Sequence, residues 1–222
     1  MISHTEENYL KVLYNLTSLK GEASVNDISK QLDIKMPTVN SMMKRLAEKE
    51  LVVYESYKPL KLTDEGKKLA ALIIRKHRLT EMYLVEKMGF GWEQVHNIAE
   101  QIEHIQAPEF FEKMDELLGF PKVDPHGSPI PDAEGNIASD SYVKLSDCKV
   151  GDTVTFMAVQ PSSEDLLKFL TSRELSLGLE LKIKQIEPFD GSMAISYGSK
   201  ENEMLSSKVC DKLLVSKKRK KK

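Results

Sequence analysis

Across residues 121–140 the spacing of apolar side chains changes, and that change limits the fold more than any other feature of this chain. Before it, apolar residues recur every three or four positions, the period of a helix with one buried face: Tyr9, Val12, Leu13 and Leu16, then Val39, Met42, Met43 and Leu46. After it they alternate, as in half-buried strands: Leu179, Leu181 and Ile183, then Met193, Ile195 and Tyr197. Between the two lie Pro121, Pro125, Gly127, Pro129, Pro131 and Gly135, a connector that continues neither period. The chain is therefore expected to be mainly α over its N-terminal two-thirds, with a small β-barrel at the C-terminus.

Within the helical part, Ser3 or Thr5 can cap a first helix that ends before Gly21. Val25, Ile28 and Leu32 mark a short second helix, Asp33 to Met36 a turn, and Pro37 opens a third, where its missing N–H is harmless. That third helix turns Thr38, Ser41, Lys44 and Arg45 away from its apolar stripe. Two short helices with a tight turn between them follow the helix-turn-helix plan. The runs 51–55 and 60–63 read as two strands flanking Ser56-Tyr57-Lys58-Pro59, a hairpin placed as a wing. Thr63 caps a long helix reaching about Met88, Gly89-Phe90-Gly91 breaks it, and a further helix is expected from Trp92 to about Ile105. Pro108 starts another, whose Phe110, Phe111, Met114, Leu117 and Leu118 exceed what one small domain can bury. Part of that band is assigned to a dimer interface.

Charge is distributed in the same blocks. Residues 1–80 carry 14 Lys and Arg against 10 Asp and Glu, residues 81–141 carry 3 against 13, and residues 142–222 carry 15 against 11. A basic first part beside a strongly acidic middle fits a polyanion partner for one and a cation for the other. No apolar run approaches the roughly 20 residues of a membrane span, so no membrane partner is expected. The first residues lack the pattern of a signal peptide, and a cytoplasmic protein is expected. Cys148 and Cys210 are read as two free thiols of a reducing compartment. The tail, Lys217 to Lys222, can add non-specific attraction to phosphates.

The acidic middle also carries metal-ligand residues at helical spacing. His77 and Glu81 are one turn apart, while His96, Glu100, Glu103 and His104 stand at i, i+4, i+7 and i+8, expected on one helix face. Buried carboxylates without a cation repel each other, so imidazole and carboxylate gathered in this way point to a divalent metal site. Catalysis has no comparable support: there is no H-E-x-x-H pattern, no Gly-rich phosphate loop and no nucleophile elbow, so the chain is not read as an enzyme.

Six stretches, T-E-E-N-Y-L-K-V-L-Y, M-P-T-V-N-S-M-M-K-R-L, L-T-D-E-G-K-K-L-A, R-K-H-R-L-T-E, V-H-N-I-A-E-Q-I-E-H and P-H-G-S-P-I-P, span positions 5–131 almost continuously. In that order they resemble the DtxR family of iron- and manganese-dependent transcriptional repressors. L-S-D-C-K-V-G-D in the last third resembles the SH3-like, FeoA-type domain of the family's longer members. The resemblance implies a winged helix-turn-helix domain over 1–70, a helical metal-binding and dimerisation domain with its Pro-rich linker over 71–141, an SH3-like barrel over 142–216 and a basic tail over 217–222. It implies that Glu100, Glu103 and His104, with Asn8 from the first helix, form the activating metal site. His77, Glu81 and His96 fall on the second site of iron-type members, whereas Glu81, Asp124, His126 and Asp165 match the second site of long streptococcal manganese sensors.

Three positions depart from the family pattern. Glu100 replaces the Cys of the iron branch, which hardens the donor set and favours Mn(II), with Fe(II) as the alternative. Asn8 stands where Met or Asp is usual, and Lys11 where compact manganese regulators of bacilli have Glu, which speaks against a binuclear centre of their kind. The resemblance implies a homodimer that represses metal-uptake genes and places two recognition helices in successive major grooves of a pseudo-palindromic operator in double-stranded DNA. Thr38 and Ser41, with Lys35, Pro37 and Asn40, are expected near bases, and Lys44, Arg45 and Lys58 near phosphates. Because histidine ligands must be neutral, metal binding is expected to weaken in acid. The competing reading is a winged-helix regulator that answers to a non-metal ligand.

Overall fold

The computed structural model describes residues 2–56, 58–138, 141–161 and 163–217. The chain forms two compact units, one made of 1–80, 97–122 and 130–138, the other of 81–96, 123–129 and 139–222.

In the first unit, helix starts follow local hydrogen-bond chemistry. Helix α1 (His4–Lys20) begins with a reciprocal cap: the Glu6 N–H donates to Ser3 Oγ, and the Ser3 N–H donates to the Glu6 carboxylate at 2.7 Å. Ser24 and Asp27 repeat the device at α2 (Val25–Leu32), and Pro37 lies in the first turn of α3 (Met36–Glu48). Strands β1 (Val52–Val53) and β2 (Lys61–Leu62) form the antiparallel wing. The Leu60 N–H ties it back to the Ala23 carbonyl at 2.8 Å. Tyr9, Leu10, Leu13, Ile28, Val39, Met43 and Leu46 interlock in one core, so α3 buries its predicted stripe against α1 and α2. Thr63 caps α4 (Asp64–Glu86) by accepting the Gly66 N–H at 3.0 Å, as its sequence signal indicates.

Helix α5 (His96–Ile102) is shorter than the expected Trp92–Ile105. At its start, Gly91 and Gln94 close a turn and the Trp92 carbonyl accepts a bond from His126 Nε2, so these residues do not join the helix. At its end, Glu103 and His104 lie in the turn that follows, with Ile105 N–H already bonding three residues back. Helix α6 (Pro108–Leu117) buries Phe111 and Met114 but leaves Phe110 and Leu117 exposed.

The second unit is built on a six-stranded antiparallel sheet in the order β3-β8-β4-β5-β6-β7. The strands are β3 (Val143–Lys144), β4 (Thr153–Val159), β5 (Glu180–Ile186), β6 (Met193–Tyr197), β7 (Lys200–Leu205) and β8 (Leu213–Lys217). Phe156, Leu181, Ile183, Ile195 and Val215 form its core, closed by Leu167 and Leu170 of α7 (Glu164–Ser172). The expected barrel does not close, because among the described residues β3 pairs only with β8 and β7 only with β6. The reason is local: β3 is two residues long and runs directly into the 3-10 turn Leu145–Asp147, leaving no strand edge for a second ladder. Helix α8 (Ser207–Cys210) leads into β8, whose last residue, Lys217, pairs with Asp152 at 3.0 Å. Residues 218–222 of the basic tail lie outside the described residues.

Cys148 and Cys210 are free, as expected, and both are buried in the sheet core, where burial pushes the Cys210 thiol up to about 12. Among the described residues no helix is long and apolar enough to cross a membrane.

Candidate metal centres

Most of the predicted ligand residues gather in two clusters, one in each unit. In the first, Glu103 is fully buried and bonds on both sides: His77 Nδ1 lies 2.5 Å from its Oε2 and the Lys11 ammonium 2.6 Å from its Oε1. Lys11 also reaches Glu100 Oε1 at 3.1 Å, so its Nζ bridges the two carboxylates. Burial alone would raise the Glu103 pKa, but the bond and charge of His77, joined by Lys11, bring it below the ordinary carboxylate value. His104 Nε2 lies 3.8 Å from Glu103 Oε1, a separation two ligands of one ion can have. Its other nitrogen, Nδ1, bonds the buried Glu7 carboxylate, and Gln106 Nε2 donates to that carboxylate at 3.0 Å. A carboxylate on Nδ1 sets the proton there and leaves the Nε2 lone pair facing Glu103, the usual support for a metal-binding imidazole.

Glu7 and Lys11 are therefore the α1 residues that contact this cluster in the described bonds, while Asn8 lies between them, half-buried. Sequence reading passed over Glu7, although its place one residue before the expected ligand and its i, i+4 relation to Lys11 were visible signals. The donor set fits a divalent ion of intermediate or hard character: carboxylate oxygens and imidazole nitrogen around a point where the chain already holds a positive charge.

In the second unit, Glu81, Asp124 and His126 bring ligand atoms within 4.8 Å of one another. Glu81 and Asp124 are buried, and Glu81 lies 3.6 Å from His126 Nδ1 and 3.2 Å from His96 Nδ1. Here the backbone does the positioning. Asp124 Oδ1 accepts the N–H groups of His126 at 2.8 Å and Ser128 at 2.9 Å, folding 124–128 into a tight turn. His126 Nε2–H donates to the Trp92 carbonyl at 2.8 Å, which directs Nδ1 toward the two carboxylates. The turn lies on strand β4 through Val159 N–H to His126 O, 2.9 Å. Gly127 makes this approach possible: its φ is +84°, and a Cβ there would stand 2.1 Å from the Met157 carbonyl. Burial disfavours the His126 imidazolium, but Glu81, by bond and charge, and Asp124 outweigh it and raise its pKa. Asp165 is exposed in the first turn of α7 and is not among the donors brought together here.

On α3, Lys35, Pro37, Thr38, Ser41 and Lys44 are exposed, as is Lys58 of the wing, which pairs with Glu55. Other expected DNA contacts have protein partners as well: the Ser41 hydroxyl donates to the Pro37 carbonyl at 3.0 Å, Asn40 Oδ1 accepts the Tyr54 hydroxyl at 3.2 Å, and Arg45 pairs with Glu6 at 3.0 Å.

Models of known protein families match the chain in its helical part and in its C-terminal sheet. Residues 1–60 match the model of the iron dependent repressor N-terminal DNA binding domain, residues 63–132 that of its metal binding and dimerisation domain, and residues 143–217 that of the FeoA domain. The chain belongs to the iron-dependent repressor family, whose members are metal-dependent transcriptional repressors. It is 30% identical over 190 residues to the Diphtheria toxin repressor of Corynebacterium glutamicum, covering 81% of this chain and 83% of that one. It is 34% identical over 127 residues to the Iron-dependent repressor IdeR of Mycobacterium tuberculosis, a match that spans 57% of this chain and just over half, 55%, of that protein. Among solved structures, a manganese-dependent transcriptional repressor in complex with manganese superposes with a TM-score of 0.86 at 29% identity, over 96% of this chain and 99% of that one.

Proposed function

We propose that this protein is a repressor that binds operator DNA when Mn(II), or alternatively Fe(II), occupies its clusters. The observation that carries this reading is the donor chemistry: Glu100, Glu103 and His104 around the Lys11 ammonium offer only oxygen and nitrogen, as do Glu81, Asp124 and His126. Both cysteines sit in the sheet core and contribute no thiolate, which favours harder ions over thiophilic ones. Glu100, Glu103 and His104, with Asn8, would hold the activating ion, and Glu81, Asp124 and His126 a second.

A bound divalent ion would supply the charge that lets the buried Glu103 and the half-exposed Glu100 share one site. The chain's own part is to join α1, which also packs under α3, to the turn after α5. Glu7 and Lys11 of α1 already touch that turn and helix, and Tyr9, Leu10 and Leu13 of the same helix contact the α3 core. The orientation of α1 is thus shared between ligand residues and recognition helix, and ligand occupancy selects among its arrangements. Thr38, Ser41, Lys35 and Pro37 present an exposed edge for bases, and Lys44 and Lys58 for phosphates. Arg45 reaches phosphate by exchanging or sharing Glu6. A second copy would cover Phe110 and Leu117 of α6, giving a homodimer whose recognition helices meet half-sites roughly 34 Å apart.

The test is anisotropy of a duplex selected from a randomised pool in the presence of Mn(II). Binding should vanish with EDTA, return with Mn(II), and be lost in Glu103→Ala and His104→Ala. Binding indifferent to EDTA in the unaltered protein would instead support a regulator of non-metal type.

A further inference from the structure

Lys11 has only 11% of its side chain exposed, and its Nζ sits at 2.6 Å from the buried Glu103 and 3.1 Å from Glu100, whose side chain is about half exposed. Those are the oxygens the proposed activating site would use. An ammonium at hydrogen-bond distance from two carboxylates fills the space and the electrostatic role that a divalent ion would take. The tether matters as much as the charge. Lys11 is held by α1, whose Tyr9, Leu10 and Leu13 are locked in the core, so its local concentration at the cluster does not fall as the protein is diluted.

We propose that Lys11 is a built-in competitor: its ammonium balances Glu100 and Glu103 in the metal-free protein and must leave that position before a divalent ion binds. This side chain then sets the metal concentration at which the protein responds. The inference rests on the metal-responsive reading of the same cluster. Apparent affinity is reduced by the fraction of molecules in which the site is open, so a lysine that occupies it most of the time weakens binding in proportion. His77, on the opposite oxygen of Glu103, keeps that carboxylate partnered when Lys11 moves away.

The experiment is calorimetric titration of full-length apo protein with Mn(II) at pH 8, in a Glu81→Gln background so that the donor groups sharing Glu81 do not contribute. Lys11→Met and Lys11→Gln remove the charge, and Lys11→Arg keeps it. Both neutral variants should bind Mn(II) at least tenfold more tightly than the parent, with a larger Mn(II)-induced rise in Tm, and the Arg variant should stay within about threefold of the parent. Neutral variants with unchanged or weaker affinity would overturn the proposal, as would an Arg variant that tightens as much as they do. Should the neutral variants fail to fold, reductive methylation of the unsubstituted protein decides the matter. Faster modification of the Lys11 amine with Mn(II) than without supports displacement, and equal rates overturn it. A parent protein that binds no Mn(II) at all would instead sink the proposed function, so the two failures are distinct.

Discussion

The two clusters use the same residue types but hold them in different ways. Around Glu103 the donors are positioned by charged side chains, Lys11, His77 and, on His104, Glu7. Around Glu81 they are positioned by the main chain: the amides of His126 and Ser128 on Asp124, and the Trp92 carbonyl on His126. A side chain that orients a ligand can also swing away or compete with the metal. A main-chain amide can do neither without unfolding its turn. On the proposed reading, the first cluster would rearrange as metal arrives and the second would receive metal with little change, which would suit one for switching and the other for stable occupancy.

The largest expected effect breaks this contrast at its centre. Glu103→Ala leaves Lys11 and His77 without their shared buried partner, and metal-free protein should lose about 3–5 kcal/mol of stability as read by denaturant unfolding. Mn(II) affinity of that cluster should disappear with it. Glu7→Gln should be milder: His104 keeps a hydrogen-bonding neighbour but loses the carboxylate that sets its tautomer, costing about 10–100-fold in metal affinity by titration. On the other side, Gly127→Ala should shift the turn off β4 and lower Mn(II) stoichiometry while leaving the response of the Glu103 cluster in place.

Smaller effects sharpen the picture. Trp92, the single tryptophan, stacks on His126 with ring centroids 5.9 Å apart. Mn(II) should partly quench its fluorescence in the unaltered protein and not in His126→Ala, whereas Glu103→Ala should leave the quenching intact. The remaining test concerns pH. Burial pushes the Glu6 carboxyl up, yet Lys49 at 2.7 Å and the bonds from Ser3 outweigh it and hold it at about 2, against an ordinary 4.5. A depressed folded value means the contribution is complete above pH 4.5 and is lost as pH falls toward 2. Thermal unfolding should show that loss, and Glu6→Gln should show a flatter profile over the same window.

Local chemistry made much of this molecule legible. Ser3, Pro37 and Thr63 mark helix starts because each satisfies or tolerates an open N–H within three residues of itself, and the structure begins helices beside each of them. The buried stripe of α3 followed from spacing alone. Reading failed where a residue's partner is distant. The helix expected from Trp92 lost its first turn because the Trp92 carbonyl serves His126, 34 positions away, and its indole N–H serves Thr171, 79 away. The barrel stayed open because β3 proved too short to carry two ladders.

The amino-acid order by itself determined the helical and alternating halves, the caps and the family, and it marked most of the His and carboxylate side chains that gather in the clusters, since these depend on neighbours along the chain. Only the tertiary structure decided how those residues divide between two clusters, that Glu7 orients His104, and that Lys11 stands between Glu100 and Glu103. Lys11 and Glu103 are 92 positions apart. Spacing on one helix says which side chains share a face, but an ion pair between a helix and a turn far along the chain exists only once packing has brought the two together.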